Sequence, residues 1–272
     1  VLSKYCAKQN KSKQHPETMN PRHEDILSIL SLRRRQSVRE LTDRLGVSEV
    51  TVRKDLGMLE DMGFLQRTRG GAVLAEDRTV KRSMRQRRGE LEAEKESVAE
   101  EAARLVPEGA TIYIDAGSAC ARLAERLREM SLRVVTNSVD VVLSLGDTEG
   151  IALHSLGGSY RKEAGSFIGP LAAEAVRRFR FDIAFMGTTG ISESGEFTCR
   201  NLIEAELKRT AIERAERVVI LADHSKLGVT AFSVFAESAA VGVLVLDEDA
   251  AGHPVLAGLD SEVILAPAAR RR

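Results

Sequence analysis

From Thr111 to Ala266 the chain alternates short apolar, strand-like runs with helical stretches, and that repetition restricts the fold more than any other feature of the 272 residues. The runs fall at Thr111 to Asp115, Leu132 to Thr136, Ile151 to Leu156, Phe181 to Met186, Arg217 to Ala222, Val241 to Leu246 and Glu262 to Ala266. Helical patterns lie between them at Ala119 to Met130, Val139 to Leu145, Pro170 to Phe179 and Asn201 to Arg214. Strand then helix, repeated, predicts a largely parallel sheet covered on both faces. In such sheets ligands bind beyond the carboxyl ends of the strands, which directs attention to the loops there.

Those loops are rich in small and hydrogen-bonding residues. The first strand runs into Asp115-Ala116-Gly117-Ser118, and the helix that follows opens with free backbone N–H groups and the positive end of its dipole. Gly117 allows close approach and Ser118 supplies a hydroxyl, which together make a phosphate-sized cradle. Later strands end in Thr136-Asn137-Ser138, Gly157-Gly158-Ser159, Gly187-Thr188-Thr189-Gly190 and Asp223-His224-Ser225-Lys226. Any one of these is ordinary turn chemistry; their common position after successive strands predicts one crevice, with Lys226 available to an anion. Glu204 and Lys208, spaced i to i+4 on a helix, read as an exposed ion pair worth a few tenths of a kcal/mol, in preference to the alternative of a role in the pocket.

The N-terminal part follows another rule. Ile26, Ile29 and Leu30 form an apolar helical stripe after Pro21, and the basic turn Arg33-Arg34-Arg35-Gln36 interrupts it. Ser37 and Glu40 have capping-box spacing ahead of Val38, Leu41 and Leu45, and Gly46 can stop that helix. Ser48 caps a third helix in which Val52, Leu56 and Leu59 share one side, leaving Val50, Thr51, Arg53 and Lys54 facing away. A helix of this kind suits a major groove, where its first turns reach base edges and phosphates. Asp55, an acid beside DNA, is expected to pair with a nearby arginine. Phe64 to Leu74 reads as a hairpin around Gly70-Gly71, a wing carrying Arg67 and Arg69.

Charge separates the same two parts. Residues 1–90 hold 20 Lys and Arg against 12 Asp and Glu, a net +8, while residues 91–272 hold 20 against 28, a net −8, so the total of zero hides a basic head on an acidic body. The basic run Lys81 to Arg88 lies in the connector Ala75 to Lys95 and can add phosphate contacts, while residues 1–20 read as a disordered tail or an extended start site. No run approaches the about 20 apolar residues of a membrane span, and the N-terminus lacks a signal-peptide apolar core, so a cytoplasmic location is expected. Cys6, Cys120 and Cys199 are too few and scattered for a disulfide framework, no Cys/His spacing suggests a metal site, and no cofactor is expected. Cys120 and Cys199 are expected to be buried.

Arg22, Ile26, Leu30, Ser48, Thr51, Val52, Arg53, Lys54, Asp55 and Leu56 resemble the spaced signature of DeoR-type bacterial transcription regulators, and Arg69-Gly70-Gly71-Ala72 resembles their wing. The resemblance implies an α/β protein with a winged helix-turn-helix domain over residues 21–75 and, over residues 90–268, an effector-sensing domain similar in fold to ribose-5-phosphate isomerase. It implies DNA contacts from Ser37, Ser48, Val50, Thr51, Arg53, Lys54, Arg67 and Arg69. It also implies effector contacts from Asp115, Gly117, Ser118, Thr136, Asn137, Gly158, Gly187, Gly190 and Lys226, with Ala119 standing where the family usually has a second hydroxyl. The expected function is repression of carbohydrate-metabolism genes by a homo-oligomer, dimer or tetramer, that binds an operator and a phosphorylated metabolite. The alternative is a sugar-phosphate isomerase-like enzyme with a DNA-binding appendage, using Asp115, Asp223 and Lys226. Against it, the Asp-Gly-Ala-Asp and Lys-Gly-Gly-Gly stretches of the related isomerases are not found; the comparable segment reads Phe181 to Gly190.

Overall fold

A computed structural model describes residues 21–32, 35–61, 65–74 and 91–268, in two compact units that divide after Glu76. The tail 1–20 and the basic run Lys81 to Arg88 lie outside the described residues.

The first unit comprises α1 (Pro21–Leu32), β1 (Arg35–Ser37), α2 (Val38–Leu45), α3 (Glu49–Asp61), β2 (Leu65–Thr68) and β3 (Gly71–Leu74). Its helix boundaries follow local chemistry. The Ser37 hydroxyl accepts the Glu40 N–H at 3.2 Å while Glu40 Oε2 accepts the Ser37 N–H at 2.8 Å, and Gly46 ends α2 with a φ of 65°. Such a cap contributes about 1 kcal/mol. Ile26, Leu30, Leu41, Val52, Leu56 and Leu59 are fully buried and join the three helices in one small core.

One expectation changes here. Part of the basic turn is a strand: Arg35, Gln36 and Ser37 pair antiparallel with Val73, Ala72 and Gly71, making a three-stranded sheet in the order β1-β3-β2. Gly71 permits it, because a Cβ there would stand 2.1 Å from the Gln36 carbonyl oxygen. Gln36 is buried, so the alternation that marks the strand was hidden behind a polar residue facing inward.

The second unit begins with α4 (Glu92–Ala103), β4 (Thr111–Ile114), α5 (Ser118–Arg126), β5 (Leu132–Thr136), α6 (Val139–Leu145) and β6 (Ile151–Ser155). It continues through the hairpin β7 (Ser159–Arg161) and β8 (Ser166–Ile168), then α7 (Pro170–Arg177), β9 (Phe181–Gly187), β10 (Gly190–Ile191) and β11 (Glu196–Cys199). After these come α8 (Leu202–Ile212), β12 (Ala215–Leu221), β13 (Ser233–Glu237), β14 (Val243–Asp247) and β15 (Glu262–Ala266). Seven strands make one wholly parallel sheet in the order β15-β14-β12-β9-β4-β5-β6. The two small antiparallel sheets, β7-β8 and β10-β11-β13, have too few residues per strand to show in the apolar pattern.

Side chains alternate across the big sheet, and each face has its own core. Tyr113, Phe181, Ala184 and Ile220 pack with α7 and α8, while Ile112, Ile114, Ile183 and Val219 pack with α4, α5 and α6. At roughly 1.5–3 kcal/mol for each fully buried large apolar side chain, these two layers dominate the stability of the unit. From β4 the chain winds outward to β5 and β6, whereas from β9 it winds the other way to β12, β14 and β15. The carboxyl ends of the adjacent strands β4 and β9 are therefore the topological switch point, where the loops diverge and leave a crevice.

Candidate functional site

In the first unit, α3 buries Val52, Leu56 and Leu59 and presents Val50, Arg53 and Lys54 to solvent, with Val50 77% exposed. A large apolar side chain so exposed beside two cations is suited to base-edge and phosphate contact, since thymine methyl groups take apolar partners. Thr51 is half-buried, its hydroxyl 2.9 Å from that of Ser48, which also accepts the Thr51 N–H at 3.3 Å. Ser37 and Ser48 thus serve as helix caps. Arg53 makes an exposed i to i+4 pair with Glu49 at 3.2 Å, a contact weak enough to exchange for a phosphate. Arg67 and Arg69 are exposed at the end of the β2–β3 hairpin.

Asp55 takes the part expected of it. It is buried and accepts two bonds from Arg22, at 2.6 Å on Oδ2 and 3.1 Å on Oδ1, with His23 Nε2 3.2 Å from Oδ1. Burial pushes the carboxyl up, but Arg22 and His23 more than reverse this and hold it below the ordinary carboxylate range. The pair ties α1 to α3 and fixes the azimuth of the exposed face.

In the second unit, a cavity of about 470 Å³ opens at the switch point, within the range of roughly 300–1,000 Å³ usual for small-molecule sites. Three strand ends build it: Ala116 to Ala119 after β4, Gly187 to Thr189 after β9, and Ala222, Asp223, Ser225 and Lys226 after β12. Leu91 and Lys95 enter from α4, and Glu204 and Lys208 from α8. Leu91 has a φ of 50°, the left-handed region that is costly for any residue with a Cβ, and is the only non-glycine residue to do so among those described.

Of the residues inferred from the sequence, Gly117, Ser118, Gly187 and Lys226 line this cavity. Asp115 lies beneath it, buried, with Oδ2 accepting the Gly187 N–H at 3.1 Å. Thr136, Asn137, Gly158 and Gly190 are not among the lining residues and hold the surrounding loops instead. The Thr136 hydroxyl donates to the Ile114 carbonyl at 2.6 Å, and Asn137 Nδ2 donates to the Phe167 carbonyl at 3.3 Å. β5 stands one strand beyond the switch point, so its end reaches the β7–β8 hairpin rather than the crevice. A Cβ on Gly158 would meet the Ile168 carbonyl at 2.6 Å, and one on Gly190 the Val229 carbonyl at 2.2 Å.

The reading of Glu204 and Lys208 as a surface pair is overturned. Lys208 is 2% exposed; its ammonium is bonded to the buried Asp115, donates to the Gly187 carbonyl at 2.8 Å and stands 3.9 Å from Glu204 Oε1. The ring of Phe235 lies 5.0 Å from it. Burial alone would lower the lysine, yet the carboxylates of Asp115 and Glu204 more than compensate, so its pKa stands above the ordinary value and it stays charged at neutral pH. The available signal was the company it keeps: Leu207 and Ala211 beside it are buried, a setting in which lysine needs an acid.

The loop after β12 is braced from the neighbouring strand. Asp247, at the end of β14, accepts the His224 backbone N–H at 2.6 Å and lies 2.8 Å from His224 Nδ1, while Asp223 receives the Ser225 hydroxyl and stands 3.4 Å from Lys226 Nζ. His224, Asp247 and Asp249 bring one ligand atom each within 4.8 Å, but the imidazole and Asp247 already satisfy one another. Burial lowers the imidazole, and Asp247, with Asp223 and Asp249 beyond it, more than offsets this and raises its pKa. A raised folded value means stabilisation that is complete below the unfolded pKa of about 6.5 and is lost as pH rises through the folded one. Against a His224→Asn variant, which keeps a donor but no charge, the wild-type thermal midpoint should be higher by about 2–4 °C near pH 5.5. That difference should fade as pH rises through the raised folded value, and a difference that does not vary with pH would contradict the assignment. Cys120 and Cys199 are buried and unpaired; burial pushes the Cys199 thiol up to about 12.

A helix-turn-helix head with a wing, joined to an α/β unit with a ligand-sized cavity, is the architecture of a ligand-responsive DNA-binding regulator. Residues 22–78 match the DeoR-like helix-turn-helix domain and residues 90–248 the DeoR C terminal sensor domain. The HTH-type transcriptional repressor GlcR of Bacillus subtilis (strain 168) is 35% identical over 82% of this chain and 86% of its own. The glycerol-3-phosphate regulon repressor of Escherichia coli (strain K12) is 32% identical over 76% and 82%. Among solved structures, ribose 5-phosphate isomerase A from Methanocaldococcus jannaschii is 23% identical with a TM-score of 0.37, over 49% of this chain and 53% of that one. The chain belongs to the DeoR family of transcriptional regulators. Among the described residues no helix is long and apolar enough to cross a membrane.

Proposed function

We propose that this regulator is a cytoplasmic repressor of carbohydrate-metabolism genes that works as a switch rather than an enzyme. Residues 21–75 form its DNA-binding domain and residues 90–268 its sensor. A phosphorylated sugar or related metabolite enters the switch-point cavity; Gly117 and Ser118 at the start of α5 meet its phosphate together with Lys226, and Gly187 lets the ligand approach the β9 backbone. Val50, Thr51, Arg53 and Lys54 read the operator, with Arg67 and Arg69 on the wing along phosphates or in the minor groove. The chain acts as a homo-oligomer, since paired heads on half-sites about one helical turn apart, or a multiple of it, are how such modules gain specificity. The observation that carries this reading is the presence in one chain of an exposed basic helix face and a cavity ringed by a helix N-terminus and lysines. The named repressors among its relatives support it.

The experiment is operator binding by the full chain, with its own promoter as DNA and random duplex as competitor at fixed salt, with and without a panel of sugar phosphates. Specific binding roughly a thousandfold or more above random DNA is expected. One sugar phosphate should shift it by about 5- to 150-fold, and Ser118→Ala or Lys226→Ala should remove that shift. Equal affinity for all duplexes, or a shift that survives both substitutions, would sink the reading.

A further inference from the structure

The cavity wall carries two carboxylates, a feature at odds with a site for a bare anion. Asp223 is engaged by its own loop, through the Ser225 hydroxyl and Lys226. Glu204 is engaged as well, but from a neighbouring strand and from its own helix. It sits on α8 one turn before Lys208, faces the cavity, and is paired through Oε2 with Arg161 of β7, which is not among the lining residues. Arg161 thus anchors the carboxylate from outside the cavity and restricts its movement, while the Asn201 side chain, capping α8 by accepting the Glu204 N–H at 3.0 Å, fixes the backbone beneath it.

A carboxylate fixed in a cavity wall repels phosphate and accepts hydrogen bonds only from neutral or positive donors. Lys208, one turn further along α8, has its charge met by Asp115 and Glu204, so it offers a directed N–H to a neutral oxygen rather than a counter-charge to an anion. The cavity of about 470 Å³ is far larger than one phosphate requires, water itself occupying roughly 30 Å³. Donors for an anion at the start of α5 and on the β12 loop, together with an anchored acceptor on α8, describe a ligand with one charged group and a neutral, hydrogen-donating remainder.

We infer that Glu204 is the specificity-determining residue of the cavity, accepting hydrogen bonds from the hydroxyl groups of a phosphorylated polyol or sugar and disfavouring phosphates that lack them. This rests on the reading of the cavity as the effector site. The two ideas fail in different ways, and calorimetric titration of the full chain separates them. The probes are ribose 5-phosphate, glucose 6-phosphate, fructose 1-phosphate and glycerol 3-phosphate, with inorganic phosphate and n-propyl phosphate as references; the last has the three carbons of glycerol 3-phosphate without its hydroxyls.

Wild type should bind at least one hydroxylated probe more tightly than either reference. In Glu204→Gln that probe should lose about 10- to 100-fold, the worth of a hydrogen bond to a charged group, while the references stay within about twofold or bind more tightly as a repulsive charge disappears. Equal losses for probe and reference, or no loss for the probe, would overturn the inference and leave the effector reading standing. Failure of wild type to prefer any hydroxylated probe would overturn both. Should the glutamine variant fail to fold, Glu204→Asp keeps the charge but withdraws it by one methylene; the same selective loss is expected at several-fold, and an unselective one counts against the inference.

Discussion

An Arg53→Ala/Lys54→Ala double variant is expected to lose operator affinity by about 30-fold to 10⁴-fold, because each contact to a base or phosphate contributes roughly 1–3 kcal/mol. Both side chains are exposed on α3, so the helical circular dichroism and melting profile should match wild type. Fluorescence anisotropy against promoter DNA at several salt concentrations checks this. A lost phosphate contact lowers the salt slope by about one for each charge, whereas a lost base contact relaxes sequence preference. Normal affinity in the double variant would move the reading surface to the wing, where Arg67 and Arg69 are the remaining exposed cations of the hairpin.

The second large effect concerns stability. Lys208→Met should destabilise the second unit by about 3–5 kcal/mol, since Asp115, whose carboxyl burial already pushes up, would be left either as an uncompensated buried charge or forced to take up a proton. For a unit of this size that is a fall of roughly 6–20 °C in thermal midpoint. Combining it with Asp115→Asn removes the orphaned charge, and a good part of the loss should return. Methionine fills much the same volume as lysine, so packing loss contributes little. A single variant melting within about 2 °C of wild type would mean that a proton or water relieves Asp115 at little cost and that the pair is not structurally important.

These two experiments fall on opposite sides of what the sequence reveals. The outward face of α3 was legible because a helix repeats every 3.6 residues: once Val52, Leu56 and Leu59 are assigned inward, Val50, Arg53 and Lys54 have nowhere else to point. The parallel strands were legible for a related reason, the five inner ones being apolar runs largely buried on both faces and the two at the edges, β6 and β15, less so. β1 and the two small sheets were not, since strands of two to five residues are too short to establish a period. The cavity was half legible. Residues directly after β4, β9 and β12 follow from topology, but the sequence does not say which strands lie next to the switch point, and so Thr136, Asn137 and Gly158 entered the expected site from strands and loops further along the sheet. Lys208 and Glu204 were misjudged because i to i+4 spacing describes neighbours on a helix without saying which way the helix is turned.

The strand order also bears on how such a regulator changes over generations. The main-chain ladder that sets the positions of β4, β9 and β12 is complete before the chain reaches Ser118, Thr188, Thr189 or Ser225, so those side chains contribute almost nothing to strand register. Exchanging them alters what the cavity accepts while the layers beneath keep their pairing. A combinatorial library confined to these four positions should therefore yield mostly well-folded variants with new ligand preferences, and diversification in natural descendants would be expected to begin at the same places.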